Sequence, residues 1–261
     1  MLTAYDYPVA KVLDATGVDC ILVGDSLGMV VLGYESTGPV TMTEMLHHTK
    51  AVRRAVQRAL LVGDLPLEAL RGSPEQTLRD AQRFANEGGC GAVKVEWRDG
   101  MDRTASLIVR SGIPVMGHVG LTPQTAAAEG GYGTRAKDAE SAARVIEQSL
   151  AMEQAGCFAL VLECVPHEVA EAITQRLAIP TIGIGSGPAC DGQVLVTYDV
   201  IGLFERFRPR FVRQYADVAG TIREAAGAYL RDVREGVFPG PEHTVRMTQE
   251  EHARLQSRLN R

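Results

Sequence analysis

The chain has no excess of positive charge, no apolar run long enough to cross a bilayer, no linker-like tract and no paired set of cysteines. Its 261 residues carry a formal net charge of −5, which argues against nucleic acid as a partner and offers a membrane surface no basic patch. No membrane span is expected. Met1 to Asp6 has neither the basic region nor the apolar core of a signal peptide. No Ser/Gly tract or long charge run divides the sequence, so one domain is expected over residues 1–261, with a charged peripheral tail from about residue 244. The five cysteines, Cys20, Cys90, Cys157, Cys164 and Cys190, are odd in number, scattered and without metal-site spacing. They read as reduced core thiols of a cytoplasmic protein.

What is present is ordered around Val23-Gly24-Asp25-Ser26-Leu27-Gly28. The apolar run Cys20–Val23 reads as a buried strand that stops at a glycine and is followed at once by a carboxylate and a hydroxyl. An acid at a strand end lies at the rim of a sheet, where α/β folds bind ligands. A lone strand-end aspartate is more often a turn former. Here the pattern repeats in Leu60–Asp64 and varies in Val93–Glu96 and Leu160–Glu163, which suggests one shared acidic site.

Along the chain, strands alternate with helices. Residues 8–15 predict a helix with proline near its start and Gly17 as its stop. Thr41 and Glu44 have capping-box spacing, and Ser73-Pro74 begins a helix that ends near Gly88. Further strands are expected at 59–63, 92–96, 113–117, 158–162 and 180–184. A glycine-rich loop is expected from Val119 to Lys137, and helices at 138–155, 166–177 and 215–234. Residues 194–203 are ambiguous, and Phe211-Val212 is the candidate for a short eighth strand. The charged tail reads as a helix. This order predicts an α/β fold, a (β/α)8 TIM barrel, with a doubly wound open sheet as the competing architecture. The barrel explains more, because Asp25, Asp64, Glu96, His118 and Glu163 then share one rim. A first strand this short at residue 1 leads us to expect that a preceding segment is missing.

Carboxylates that converge in a sheltered pocket shift their pKa values or collect a cation. Oxygen donors favour a hard ion such as Mg2+ over Zn2+, which makes Asp25, Asp64 and Glu96 the candidate metal set. For any one of them, capping a helix or pairing with an arginine competes. Lys94 and Glu96 lie two apart and share a strand face. Lys94 is a candidate for holding a substrate carboxylate or a developing oxyanion, and a salt bridge to Glu96 is compatible with that role. Glu163, at another strand end, is the candidate general base, against a simple turn cap. His118 opens the long loop and is either a binding residue or a satisfied rim histidine. Gly183, Gly185 and Gly187 lack the helix spacing and partner acid of a dinucleotide site. The chemistry that fits is enolisation of a 2-oxo acid, in which a divalent metal polarises the carbonyl and a carboxylate takes the neighbouring proton.

Several longer stretches carry a more specific signal. Thr3–Tyr7, Leu22–Gly28, Asp64–Pro66, Val93–Glu96, Gly117–Gln124, Leu162–Pro166, Ile182–Gly187 and Asp191–Val196 occur in order between about residues 1 and 243. Together they resemble the ketopantoate hydroxymethyltransferase family. The Asp25–Gly28 stretch alone is shared with phosphoenolpyruvate mutases and isocitrate lyases. The resemblance implies a barrel of the phosphoenolpyruvate/pyruvate-like superfamily, assembled as a homodecamer. It implies transfer of a hydroxymethyl group from the folate co-substrate 5,10-methylenetetrahydrofolate to 3-methyl-2-oxobutanoate, giving 2-dehydropantoate for pantothenate biosynthesis. By motif, Asp25, Asp64 and Glu96 would bind Mg2+, directly or through water. Asp25, Ser26, Asp64, Lys94 and His118 would contact the 2-oxo acid, and Glu163 would be the proton acceptor. The family's helix and most of its strand before Thr3 are absent here, and the residues after Gly130-Gly131-Tyr132 depart from its usual pattern. Two alternatives stand beside this reading: a lyase or mutase acting on another 2-oxo acid, and a non-catalytic oligomeric homologue. No cysteine sits in a mobile loop as the lyases require, and the acidic set is intact.

Overall fold

A computed structural model describes residues 1–126 and 131–260. They form two compact units, 1–215 and 216 onward. The first unit begins with β1 (Leu2–Thr3), α1 (Tyr7–Ala15), β2 (Cys20–Val23), α2 (Leu27–Val30), α3 (Met42–Arg53) and β3 (Leu60–Asp64). It continues through α4 (Leu67–Leu70), α5 (Pro74–Asn86), β4 (Ala92–Glu96), α6 (Met101–Arg110), β5 (Val115–Gly120) and α7 (Pro123–Ala126). It ends with α8 (Ala139–Gln154), β6 (Ala159–Glu163), α9 (His167–Thr174), β7 (Thr181–Ile184), β8 (Gly192–Gln193) and α10 (Thr197–Val200). The eight strands are parallel and stand in sequential order. A bridge from Leu2 to Leu195 joins the two ends of the sheet. This is the expected TIM-like (β/α)8 arrangement. A doubly wound sheet would have reversed its strand order.

The helix starts follow local chemistry. Thr41 accepts from the Glu44 N–H at 3.2 Å while Glu44 accepts from the Thr41 N–H at 2.8 Å, the reciprocal capping box at α3. Ser73 caps α5, with Pro74 at its first position.

Period-two alternation sorts the strand residues onto two faces. One set, Cys20, Leu22, Val62, Ala92, Met116, Ala159 and Val161, packs inside the barrel. The other, including Ile21, Val23, Leu61, Val93, Val95, Leu160 and Leu162, packs outward against the helices. Continuing the inward alternation brings Asp64, Lys94, Glu96, His118 and Glu163 onto the lumen face at the C-terminal ends of the strands. The apolar lower lumen therefore gives way to a charged upper one.

The eighth strand departs from expectation. It is Gly192–Gln193, whereas Phe211 lies in a turn whose Val212 N–H donates to the Pro209 carbonyl at 3.0 Å. Asp191 accepts from the Thr181 N–H at 2.8 Å, which lays the following residues along β7. A glycine and an exposed glutamine form no apolar run, so periodicity cannot mark them. The ambiguous stretch 194–203 contains α10. The expected loop from 119 starts later because β5 runs to Gly120, and it contains α7; its residues 127–130 lie outside the described residues.

The second unit contains α11 (Val218–Arg234), capped by Asp217, and α12 (Gln249–Leu259), capped by Thr248. α12 is the helix expected of the charged tail. Among the described residues no helix is long and apolar enough to cross a membrane.

Gly63 precedes Asp64 and faces outward under α5, where a Cβ would come within 2.4 Å of the Phe84 ring and 2.9 Å of Cys90 Sγ. Gly63→Ala is therefore expected to lower stability by about 1–3 kcal/mol through overpacking. Urea unfolding measures the shift, and an unchanged midpoint would refute the close approach of α5 to β3.

Candidate active site

The parallel register decides which charged groups meet. Asp64 is paired with Lys94, and Glu96 with His118, across adjacent strands. Lys94 Nζ consequently lies 2.6 Å from Asp64 Oδ1 and 3.9 Å from Glu96 Oε1. Glu163 ends β6, and its carboxylate oxygen stands 3.3 Å from His118 Nε2, while His118 Nδ1 is 3.6 Å from Glu96. Neither histidine nitrogen makes an aligned hydrogen bond. Asp25 follows β2, and its backbone N–H donates to Asp64 Oδ2 at 3.2 Å. Next to it, Ser26 Oγ is 2.8 Å from the Tyr5 hydroxyl. The structure thus brings together every residue singled out from sequence: Asp25, Ser26, Asp64, Lys94, Glu96, His118 and Glu163 all line one cavity of about 630 Å3.

Two residues of this cluster carried no role from sequence. Gln124 is buried; its side-chain amide donates to Asp25 Oδ2 at 2.8 Å and to the Leu65 carbonyl at 2.9 Å. Its backbone N–H donates to Glu96 Oε2 at 3.1 Å. It belongs to the Gly117–Gln124 stretch, but nothing local shows that the chain after β5 folds back over Asp25. Gly120, with φ of 94°, is the other. A Cβ there would lie 2.3 Å from the Glu163 carbonyl oxygen, so glycine is what lets β5 and β6 close on each other.

Charge and burial are in conflict here. Asp25, Asp64, Lys94 and Glu96 are each at least 96% buried. Burial, reinforced by the Asp64 charge, pushes Asp25 up to about 7. Burial likewise holds Glu96 well above the usual carboxylate range, against the pull of Lys94. Burial alone would neutralise Lys94, but Asp64, Glu96 and Asp25 outweigh it and keep the ammonium charged. His118 is pushed down, chiefly by burial, and is neutral at pH 7. Four carboxylates therefore face a single lysine.

This donor set fits a hard divalent cation. It is oxygen-only and carries an excess of negative charge that burial makes costly. Among the described residues no three His, Cys, Asp or Glu side chains form a ready cage. Mg2+ does not require one, since it keeps waters and takes one or two carboxylates together with ligand oxygens.

The surroundings match known proteins. The ketopantoate hydroxymethyltransferase family model covers residues 1–241. A relative from Heliobacterium modesticaldum is 52% identical over 250 residues, covering 96% of this chain and 91% of its own. One from Thermus thermophilus is 52% identical and covers 93% of each chain. Both carry the name 3-methyl-2-oxobutanoate hydroxymethyltransferase. In fold, the chain is similar to phosphonopyruvate hydrolase (TM-score 0.59, 15% identity, 99% of this chain and 90% of the other). It is also similar to 2,3-dimethylmalate lyase (TM-score 0.58, 18% identity, 99% and 90%), a member of the PEP mutase/isocitrate lyase superfamily.

Two outcomes follow for the metal-free protein. Asp25 has a folded pKa near 7 against an ordinary value of 3.8, so the folded state holds the extra proton. Its contribution to stability is complete below pH ~4 and is lost as pH rises to ~7. Added Mg2+ should restore stability at neutral pH; thermal melts across that range that show neither trend would contradict the cation-demanding site. Gln124→Leu should weaken Mn2+ binding about 10- to 100-fold with the fold intact, read by electron paramagnetic resonance titration. Unchanged affinity would show that Gln124 does not orient Asp25.

Proposed function

Because the chain belongs to the ketopantoate hydroxymethyltransferase family, we propose that this cavity enolises 3-methyl-2-oxobutanoate and joins it to the one-carbon unit of 5,10-methylenetetrahydrofolate. The observation that carries the reading is that Glu163 lines the same cavity as Asp25, Asp64 and Lys94. Asp25, Asp64 and Glu96 would hold Mg2+, directly or through water. When bound, the ion would withdraw charge from the 2-oxo acid and acidify its C3 proton.

The remaining work falls to side chains. Ser26, oriented by Tyr5 at 2.8 Å, donates to the substrate carboxylate. Lys94 stays charged because of its acidic neighbours and stabilises the charge that develops on the substrate oxygens. Glu163 accepts the C3 proton. His118, with its ring pushed toward the neutral form and 3.3 Å from Glu163, lines the substrate pocket beside that carboxylate. The C3 carbanion equivalent then bonds to the methylene carbon of the donor. The carbon–nitrogen bonds of the donor break, water supplies the hydroxyl oxygen, and tetrahydrofolate and 2-dehydropantoate leave.

A lyase built on a reactive thiol is disfavoured. Cys164 lines the cavity, but burial pushes its thiol up to about 12, so it stays protonated. The same proposal takes the chain as one barrel domain with a peripheral tail from about residue 244. It also places the protein in the cytoplasm as a homo-oligomer, a decamer by resemblance.

Deuterium exchange at C3 of 3-methyl-2-oxobutanoate, followed by NMR with Mg2+ and without folate, tests the first half alone. The parent should exchange, and Glu163→Gln should be slower by about 10²- to 10⁴-fold. Exchange at the parent rate in the variant would remove Glu163 as the base. No exchange in the folded, metal-loaded parent would sink the enolisation reading.

A further inference from the structure

The cavity is larger than a small 2-oxo acid requires; ~300–1,000 Å3 is the range for drug-sized ligands. Beyond the charged cluster, the cavity is also lined by the chain after β8. That stretch contributes Asp199, which is 8% exposed and lines the cavity. Its carboxylate makes no hydrogen bond or ion pair among the described residues, and burial lifts it to about 6. An acid at that value is still mostly ionised at neutral pH, so an unpaired buried charge faces the cavity. A second orphan lies in the same cavity: the Thr37 hydroxyl, also buried and without a partner.

The same cavity carries aromatic rings. Phe204, Phe207 and Phe211 line the cavity, with Phe204 and Phe207 edge to face at 5.3 Å. Phe207 and Phe211 are 47% and 38% exposed, an unusual cost for rings that have no ligand. Arg210 lines the same cavity and is exposed, with no ion pair among the described residues. The two halves of the cavity adjoin. Tyr198, next to Asp199, packs edge-on against Tyr5 at 5.4 Å, and Tyr5 holds Ser26.

We infer that Asp199 is the pterin-recognising residue, its carboxylate accepting from N3–H and the 2-amino group of the folate co-substrate. The inference rests on the proposed function and names the missing subsite for its second substrate. A pterin presents those two donors side by side, the arrangement that a carboxylate accepts in parallel. Its flat ring stacks on phenylalanine faces, and Arg210 meets the anionic glutamyl tail. Of the ring's polar groups, only this edge demands an acid.

The test is isothermal titration of the full-length protein, with Mg2+ and 3-methyl-2-oxobutanoate present, using tetrahydrofolate and its 2-desamino-2-methyl analogue. The parent should prefer tetrahydrofolate by about tenfold or more. Asp199→Asn should bind tetrahydrofolate about tenfold or more weakly and lose the preference, while still exchanging the C3 proton. A parent that does not discriminate between the two ligands overturns the inference without any variant. So does an Asp199→Asn protein that keeps the parent affinity, or one that loses C3 exchange together with folate binding, which would make Asp199 a structural anchor of α10. A parent that exchanges C3 yet binds neither folate refutes the donor, and one that does not exchange refutes the enolising site itself.

Discussion

Lys94 lies 2.6 Å from Asp64 inside the barrel, and the site depends on that pair. Without a cation there, Asp64 and Glu96 would be adjacent buried acids with no counter-charge, a situation that costs several kcal/mol per group by general estimates. With it, the acids keep Lys94 ionised and Lys94 keeps part of their charge tolerable. The pairing follows directly from parallel register, since Asp64 and Lys94 are neighbours on β3 and β4. One lysine is not enough, however. Asp25 and Glu96 remain shifted upward, and in the proposed function the leftover negative charge is what a divalent ion would offset.

The geometry around that pair is held from outside the lumen. Gly63 lets Phe84 of α5 lie directly on β3, and Gly120 lets β5 close on Glu163. Gln124 ties three segments together by touching Asp25, Leu65 and Glu96. Fixed neighbours of this kind give a catalytic carboxylate its position and protonation state before any ligand arrives, so little reorganisation is needed during reaction.

The cavity has two chemically distinct sides. Toward β2–β6 it is lined by acids, Lys94 and His118, which suits a small oxygen-rich acid. Toward the chain after β8 it carries Phe204, Phe207 and Phe211, Arg206 and Arg210, and the Asp199 carboxylate, the side inferred above to take the flat co-substrate. In the proposed reaction, having both sides in one cavity would let a carbon nucleophile formed among the acids meet an electrophilic carbon bound beside the rings.

Strand-end acids, helix caps and the β–α alternation were legible in the residues themselves because each is a local feature. Apolar runs broken by glycine, Thr41 three before Glu44, and Ser73 before Pro74 need no distant partner. They sufficed for the barrel and for placing Asp25, Asp64, Glu96 and Glu163 on its rim. Lys94 and Glu96 sharing a face also followed from period two alone. Beyond that, long-range closure decided the outcome. β8 is a glycine and a glutamine held by Asp191 reaching back to Thr181, a strand with no hydrophobic signature of its own. Gln124 became a neighbour of Asp25 across 99 positions of sequence, and Asp199 became a buried, unpaired acid only once the barrel ends met. Periodicity records which face a residue takes on its own element. Which residues from other elements meet it there depends on register and barrel closure, and those exist only in the folded chain.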